Sequence, residues 1–413
     1  MRKLIISLLS PCIFIFVAQA QNRTLEFYIS QGNKNSPLLI DFQNQINSAA
    51  LDSILVKAAQ KPQVDANAQL MYAPVFGKLG YDDAITNGGN YSSAVSASQY
   101  FLNRNVLNNK YQGIRTQKQS LANQKKVSEN DLRRVITNQY LTSYADFSDL
   151  SFNESFLKLM LQEKELLKTL VDHGVYKQTD FLSLLIETQT QEMLILQLYA
   201  QFKKDFRLLN QVCGINDTGK YALALPVINA NAPINIAMSP LLMQYKIDSL
   251  KIINDKWAID LRYKPKFNWF TDAGLMSSTP QNFYQHLGFS AGINFSIPIY
   301  DGHQRKYETQ KLDIQEDSRS SYQRFFITQY DQQMKQLTDE LTSIRQLEQQ
   351  LKKQTNSSTE LITLAKSQLN MGNMPITEFI NAVKNYLGIN HALNQTQIRE
   401  FQIINEMNYL LQK

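Results

Sequence analysis

The chain repeats itself, and this duplication constrains its fold more than any other feature of the sequence. Ser36-Pro37-Leu38-Leu39 recurs as Ser239-Pro240-Leu241-Leu242, and Lys61-Pro62 recurs as Lys264-Pro265, each 203 residues on. Farther along the offset becomes 198: Asn103 answers to Asp301, Gly174 to Gly372, and Thr179-Asp180-Phe181 to Thr377-Glu378-Phe379. The change of offset falls between the Lys-Pro pair and the polar residue, where the first copy is longer, and an insertion there marks a loop tip. Each copy reads in the same order: a helix (38–60; 241–262), two strands, a very long helix, a glycine turn and a final helix. The predicted organisation is a signal peptide at 1–20, a first repeat at 21–214, a connector at 215–238 and a second repeat at 239–413. The connector carries Pro226, Asn229, Asn231 and Pro233 with no clear periodicity.

The longest elements come from the absence of breakers. Between Arg104 and Asp172 there is no proline and one glycine, Gly113, and between Gln304 and Met371 there is neither. Such a run, at about 1.5 Å per residue, extends about 100 Å, several times an ordinary helix. In the second run the apolar residues step by threes and fours through Tyr330, Met334, Leu337, Leu341, Ile344, Leu347 and Leu351, a coiled-coil seam. The remaining faces are polar. A rod wet on two sides suits the wall of a hollow cylinder, and a solid extended coiled coil would show the same pattern.

The strands carry a second pattern. Val64, Ala66, Ala68, Leu70 and Tyr72 alternate with Asp65, Asn67 and Gln69, and the second copy answers with Phe267, Trp269, Ala273 and Leu275 against Lys266, Asn268 and Asp272. The returning strand is the clearest: Leu287, Phe289, Ala291, Ile293, Phe295, Ile297 and Ile299 alternate with small or polar residues. In copy one the return is weaker, with Val95, Ala97 and Phe101 against Ser96 and Ser98. Runs of about ten residues match a tilted transmembrane strand, and aromatic residues gather toward both ends. A soluble two-faced sheet shows the same alternation. Four strands cannot close a barrel, and an open edge in lipid leaves backbone groups unpaired, so several chains must share it. Two chains would give eight strands and three would give twelve; spacing alone does not choose.

The amino terminus points to export. Arg2 and Lys3, an apolar run from Leu4 to Val17, and Ala18-Gln19-Ala20 read as a secretory signal with cleavage after Ala20. Cys12 would leave with it, and Cys213 alone forms no internal bridge, so it reads as a small buried residue at a helix end. The net charge is +6, and Lys and Arg are interspersed with acids rather than clustered, which gives nucleic acid no patch to bind. His173, His286, His303 and His391 have no ligand spacing, so neither metal nor cofactor is expected, and no phosphate loop or nucleophile elbow appears. His173 before Gly174 reads as a helix C-terminal cation followed by a left-handed cap. The chain does not read as an enzyme. A periplasmic adaptor should show one central helical hairpin rather than two, and a coiled-coil surface adhesin needs no lipid-facing strands.

Residues Gly292 to Gly302 (GINFSIPIYDG), and the glycine turns followed by Thr-Asp-Phe-Leu or Thr-Glu-Phe-Ile, resemble the TolC outer-membrane efflux proteins over nearly all of the chain after its signal. The resemblance implies a mainly α fold with membrane β: a trimer with a twelve-stranded outer-membrane β-barrel, four strands per protomer, continuous with a periplasmic α-barrel. It implies a passive duct of an efflux or type I secretion system in the outer membrane, reaching into the periplasm, docked by an adaptor protein and fed by an inner-membrane pump of the RND or ABC class. It places the turns at Gly174 and Gly372, with Asp180 and Glu378 just beyond, at the periplasmic tip. In the family acidic residues of the second tip helix ring the closed aperture; the first such position is Glu378, while the second falls on the neutral Asn381. A basic residue two places after the tip glycine is here Met374, so latch and inner ring depart from the pattern. For Asp180 and Glu378 a local reading also holds, since a carboxylate in a helix's first turn is favoured by the dipole.

Overall fold

The computed structural model describes residues 23–74, 76–82, 88–216, 219, 222–230, 239–281 and 283–411. The signal-peptide reading at 1–20 and much of the connector lie outside them. The described chain runs α1 (Leu25–Asn35), α2 (Pro37–Ala58), β1 (Gln63–Tyr72), β2 (Gly89–Phe101), α3 (Arg104–Asp172) and α4 (Gln178–Val212). It continues through α5 (Pro240–Arg262), β3 (Lys266–Ser277), a 3-10 turn (Phe283–Gln285), β4 (Leu287–Ser296), α6 (Gln304–Asn370) and α7 (Ile376–Leu410). The breaker-free runs are single helices of 69 and 67 residues.

Matching residues of the two copies do matching work at the starts of these helices. The Asn103 side chain accepts the backbone N–H of Asn105 at 2.9 Å before α3; Asp301 accepts those of His303 and Arg305, at 2.9 and 2.8 Å, before α6. These oxygens satisfy amide donors that a helix start leaves orphaned. The Arg305 amide, and next the Tyr263 hydroxyl, hold the Asp301 carboxyl below its ordinary pKa.

The sequence did not announce α1. Ser36 precedes Pro37 and is extended (φ −69°, ψ 114°), as a residue before proline prefers, and this separates α1 from α2. Thr24 caps α1 by accepting the Phe27 amide. A Cβ on Gly32 would stand 2.3 Å from Ile136 Cδ1, so the glycine lets α1 lie close against α3.

The chain divides into two compact units, and each draws on both sequence copies. The helix unit comprises the described residues of 23–36, 130–230 and 333–411; the strand unit comprises those of 37–129 and 239–332. One core of the helix unit gathers Leu25 and Tyr28 of α1, Ile136 and Tyr140 of α3, and Leu209 and Cys213 at the end of α4. Cys213 is fully buried, and burial pushes its thiol up to about 12, which makes it an inert packing residue. Helix α7 is tied to α6 by Arg399–Glu340 and Arg345–Glu400, and to α4 by Lys384–Glu187. The predicted seam of α6 is buried at Leu337 and Leu341 and open at Leu347.

In the strand unit the four strands form one antiparallel sheet in the order β1-β2-β3-β4. Helix α5 begins at a Ser239 cap with Pro240 in its first turn, a favoured start. It joins α3 through Asn109, which donates to the Asn254 carbonyl at 2.8 Å, and α6 through Lys256–Asp313 and Arg305–Asp260.

Candidate functional site

The strand register sorts every side chain onto one of two faces. Val64 pairs with Ala97, Ala66 with Val95 and Leu70 with Tyr91. Phe101 pairs with Phe267, Gln99 with Trp269, Val95 with Ala273 and Ser93 with Leu275. Phe267 then pairs with Phe295, Trp269 with Ile293, Ala273 with Phe289 and Leu275 with Leu287. Directly paired residues share a face, so the apolar stripes of both copies, from Val64 and Tyr72 to Phe289 and Ile293, merge into one continuous face. Among the described residues nothing covers it: Leu70 is 81% exposed, Phe289 75% and Ile293 76%. Val64, Ala66, Tyr72, Phe267 and Phe295 are exposed as well, with Trp269 and Leu275 half-buried. A contiguous patch of this kind on a protein surface marks an interaction with another apolar phase.

The other face is polar. Ser290 donates to Asp272 at 3.2 Å, and the Phe270 ring lies where a Cβ on Gly292 would stand, 2.6 Å from its nearest atom. Gly292 of the GINFSIPIYDG segment therefore makes room for the one large ring on that face of β3. At one end of the apolar face the Phe267 and Phe295 rings meet at 4.6 Å, and the Trp269 indole N–H donates to Gln99 at 3.1 Å. One strand reading needs correction. The last ladder pair is Lys266–Ser296, so Ile297 and Ile299 lie beyond β4; β3 starts at Lys266 and offers them no partner, and Pro298 has no amide to donate.

Two glycine turns define a second candidate region, within the helix unit. Gly174 (φ +76°) and Gly372 (φ +75°) end α3 and α6 in the left-handed conformation that glycine adopts without strain. Each closes a Schellman cap: the Gly174 and Val175 amides donate to Val171 and Leu170, and the Gly372 and Asn373 amides to Leu369 and Gln368. His173 stands beside the first cap with its ring Nδ1 2.7 Å from the Thr169 carbonyl oxygen. The turns touch each other. The Tyr176 hydroxyl lies 3.0 Å from the Leu369 carbonyl and 2.9 Å from that of Met374, and a Cβ on Gly372 would meet Val175 at 2.6 Å. Under them lies a core of Phe156, Met160, Leu167, Leu184, Leu369 and Phe379.

The predicted tip residues separate on this framework. Asp180 accepts the Lys177 backbone amide at 3.0 Å, so it has a local role at the start of α4. Glu378 and Asn381 are exposed in the first turns of α7. Met374 is buried in the core beneath the turns. Tyr176 was missed because a lone tyrosine in a turn carries no sequence signal for a bond to a segment 193 residues away.

Three helices keep apolar stripes that no other described part of the chain covers. They are Leu182, Ile186, Met193 and Leu196 on α4, Tyr307, Ile314, Tyr322 and Phe325 on α6, and Leu51, Ile54 and Leu55 on α2. Their spacing by three, four, seven or eight residues keeps each set on one helix face, as in a helix-packing seam.

Polar groups buried in the helix unit serve packing. Asp149 accepts from Asn394 at 2.6 Å and Gln395 at 3.2 Å and lies 2.9 Å from the His391 ring, which fixes α7 on α3. Nearby, burial first and the Asp205 carboxyl second push Asp146 up to about 7. Among the described residues no three His, Cys, Asp or Glu side chains group to hold a metal ion, and no helix is long and apolar enough to cross a membrane.

The sequence matches no family model and no curated protein. The fold does have relatives among solved structures. The CusC channel superposes with a TM-score of 0.74 at 13% identity, covering 94% of this chain and 92% of that one. The outer membrane protein VceC of Vibrio cholerae gives 0.72 at 10% identity, covering 94% and 95%. The MtrE outer membrane channel of Neisseria gonorrhoeae, in its open state, gives 0.72 at 11%, covering 94% and 88%. The chain shares the fold of these outer-membrane channels, with a TM-score of 0.72 to 0.74 over 94% of its length.

Proposed function

We propose that this chain is the outer-membrane component of a tripartite efflux or type I secretion system, a passive duct formed by three copies. The observation that carries this reading is the uncovered apolar face, continuous over four strands whose opposite face is polar. An open sheet with that distribution is unstable in lipid until its edges, β1 and β4, are paired. Twelve strands from three copies would close it, with the apolar face in the outer membrane and the polar face lining water. The free seams on α2, α4 and α6 supply a contact surface between copies along the periplasmic helices. Solved channels of the same fold are described as outer-membrane channels. A periplasmic adaptor or a surface adhesin leaves the apolar face without a use. An adaptor protein and an inner-membrane pump of the RND or ABC class are the partners such a duct requires.

At the glycine turns Glu378 is the aperture residue of this reading. It is exposed at the start of α7, and three copies about an axis would form an anionic ring that attracts cations. Single-channel recording in planar bilayers tests both parts. The wild-type protein is expected to form discrete conducting pores that prefer cations and are blocked by divalent ions. Glu378→Gln is expected to keep the pores and to reduce both properties severalfold. Absence of any conductance from the inserted protein would overturn the duct, and unchanged selectivity would remove Glu378 from the aperture.

A further inference from the structure

We propose that the strand unit carries a binding site for an anionic glycerophospholipid, at the end of the apolar face where β2 and β3 join their helices. The site is a pocket of about 750 Å³ bounded by the first turns of α3 and α6 and the last turns of α5. Its walls are of two kinds. Phe101 and Phe267, which belong to the apolar sheet face, line it together with Ile259 and Leu312. Lys110, Lys264, Lys266 and Lys311 stand on its rim, all exposed, and none of them forms an ion pair with a described carboxylate. Five cations line the pocket against two carboxylates, and one of these, Glu308, is already bound to Arg262.

The arrangement selects its occupant. Four unpaired ammonium groups over an apolar floor fit a phosphodiester that carries a hydrocarbon tail, because the tail can run from Ile259 and Leu312 onto Phe101, Phe267 and the exposed face beyond. A free phosphate would satisfy the lysines and leave the apolar floor in water. The two strands that line the pocket are the inner ones of the sheet, whereas copies would pair their strands through β1 and β4. Phe101 and Phe267 also sit at the aromatic end of the apolar face that adjoins the helices, the depth at which headgroups of the periplasmic leaflet would lie. Lysine is suited to the task as a mobile point charge that follows a headgroup without a fixed fork geometry.

This proposal rests on the membrane-embedded reading above, and the experiment separates the two. Detergent-extracted wild-type protein is titrated with phosphatidylglycerol or phosphatidylcholine, and bound lipid is counted per oligomer by native mass spectrometry. The expected result is a preference of about tenfold or more for phosphatidylglycerol, since each Lys near an anionic headgroup contributes on the order of a factor of five. Replacing all four lysines by glutamine is expected to bring the two lipids within about twofold of each other, and replacing them by arginine to retain the preference. Millimolar inorganic phosphate is expected not to displace the lipid. Equal binding of both lipids to the wild type, an unchanged preference in the glutamine variant, or displacement by phosphate would each overturn the site while leaving the channel intact. Protein that stays soluble without detergent would instead overturn the membrane reading.

Discussion

Replacing Ile293 by arginine is expected to abolish recovery of the folded oligomer from the outer membrane, whereas the same change one residue later, Asn294→Arg, is expected to be tolerated. The two residues adjoin on β4 and are both exposed in the isolated chain. In water an arginine at either place would change stability by no more than about 0.5 kcal/mol. Ile293 lies on the apolar face with Trp269 as its ladder partner, and Asn294 lies on the polar face opposite Asn268. A guanidinium on a lipid face costs about 2–4 kcal/mol near the bilayer midplane, and a symmetric trimer would meet that cost three times. Semi-native electrophoresis of outer-membrane extracts, comparing unheated and heated samples, reads the difference directly. Loss of the slow-migrating species in the Ile293 variant alone is the expected outcome. Equal behaviour of the two variants would mean that the sheet faces are not divided between lipid and water.

Phe379→Ala is expected to destabilise the glycine-turn end of the helix unit by about 3–5 kcal/mol, the range for deleting a fully buried phenylalanine. Phe379 is completely buried among side chains from α3, α4, α6 and α7, so its removal leaves a cavity that four helices cannot easily fill. Asn381→Ala, two residues on and exposed, is expected to change stability by less than about 0.5 kcal/mol. Limited proteolysis of the purified oligomer distinguishes them, because local opening governs cleavage in a folded protein. Rapid cutting at Lys177 and Lys384 in the Phe379 variant, with the strand unit protected, is the expected pattern. Wild-type resistance in that variant would show that the core beneath the turns does not hold them.

The features legible in the sequence were those with a period or a breaker behind them. Breaker-free stretches became α3 and α6 to within a residue or so of the ends expected from Pro and Gly. Alternation in period two became a sheet face because pairing preserves parity across strands, so stripes read separately at Val64 and Phe267 had to merge once the strands were in register. Signals that depend on a distant partner were not legible. Helix α1 is short, and what holds it is Ile136 and Tyr140, more than a hundred residues away. Met374 occupies a position where the family pattern puts a basic gate residue, yet hydrophobic burial decides its place. Ile297 continues the alternation faultlessly but has no strand beside it, since a periodic sequence says which face a residue would take and not where the ladder stops. At the turns, glycine alone gave the backbone, while Tyr176, which bonds one turn to the other, gave no pattern to read.

A spin-label scan along β3 tests most directly whether one face of the sheet meets lipid and the other meets water. Cys213, the only cysteine after residue 20, is fully buried and leaves a quiet background for single cysteines placed at Asn268 through Leu275. In the protein reconstituted in bilayers, labels at Trp269, Thr271, Ala273 and Leu275 should be accessible to oxygen dissolved in lipid. Labels at Asn268, Phe270, Asp272 and Gly274 should respond to a water-soluble nickel chelate, in strict alternation. Uniform access of the nickel chelate to all eight positions would contradict the account.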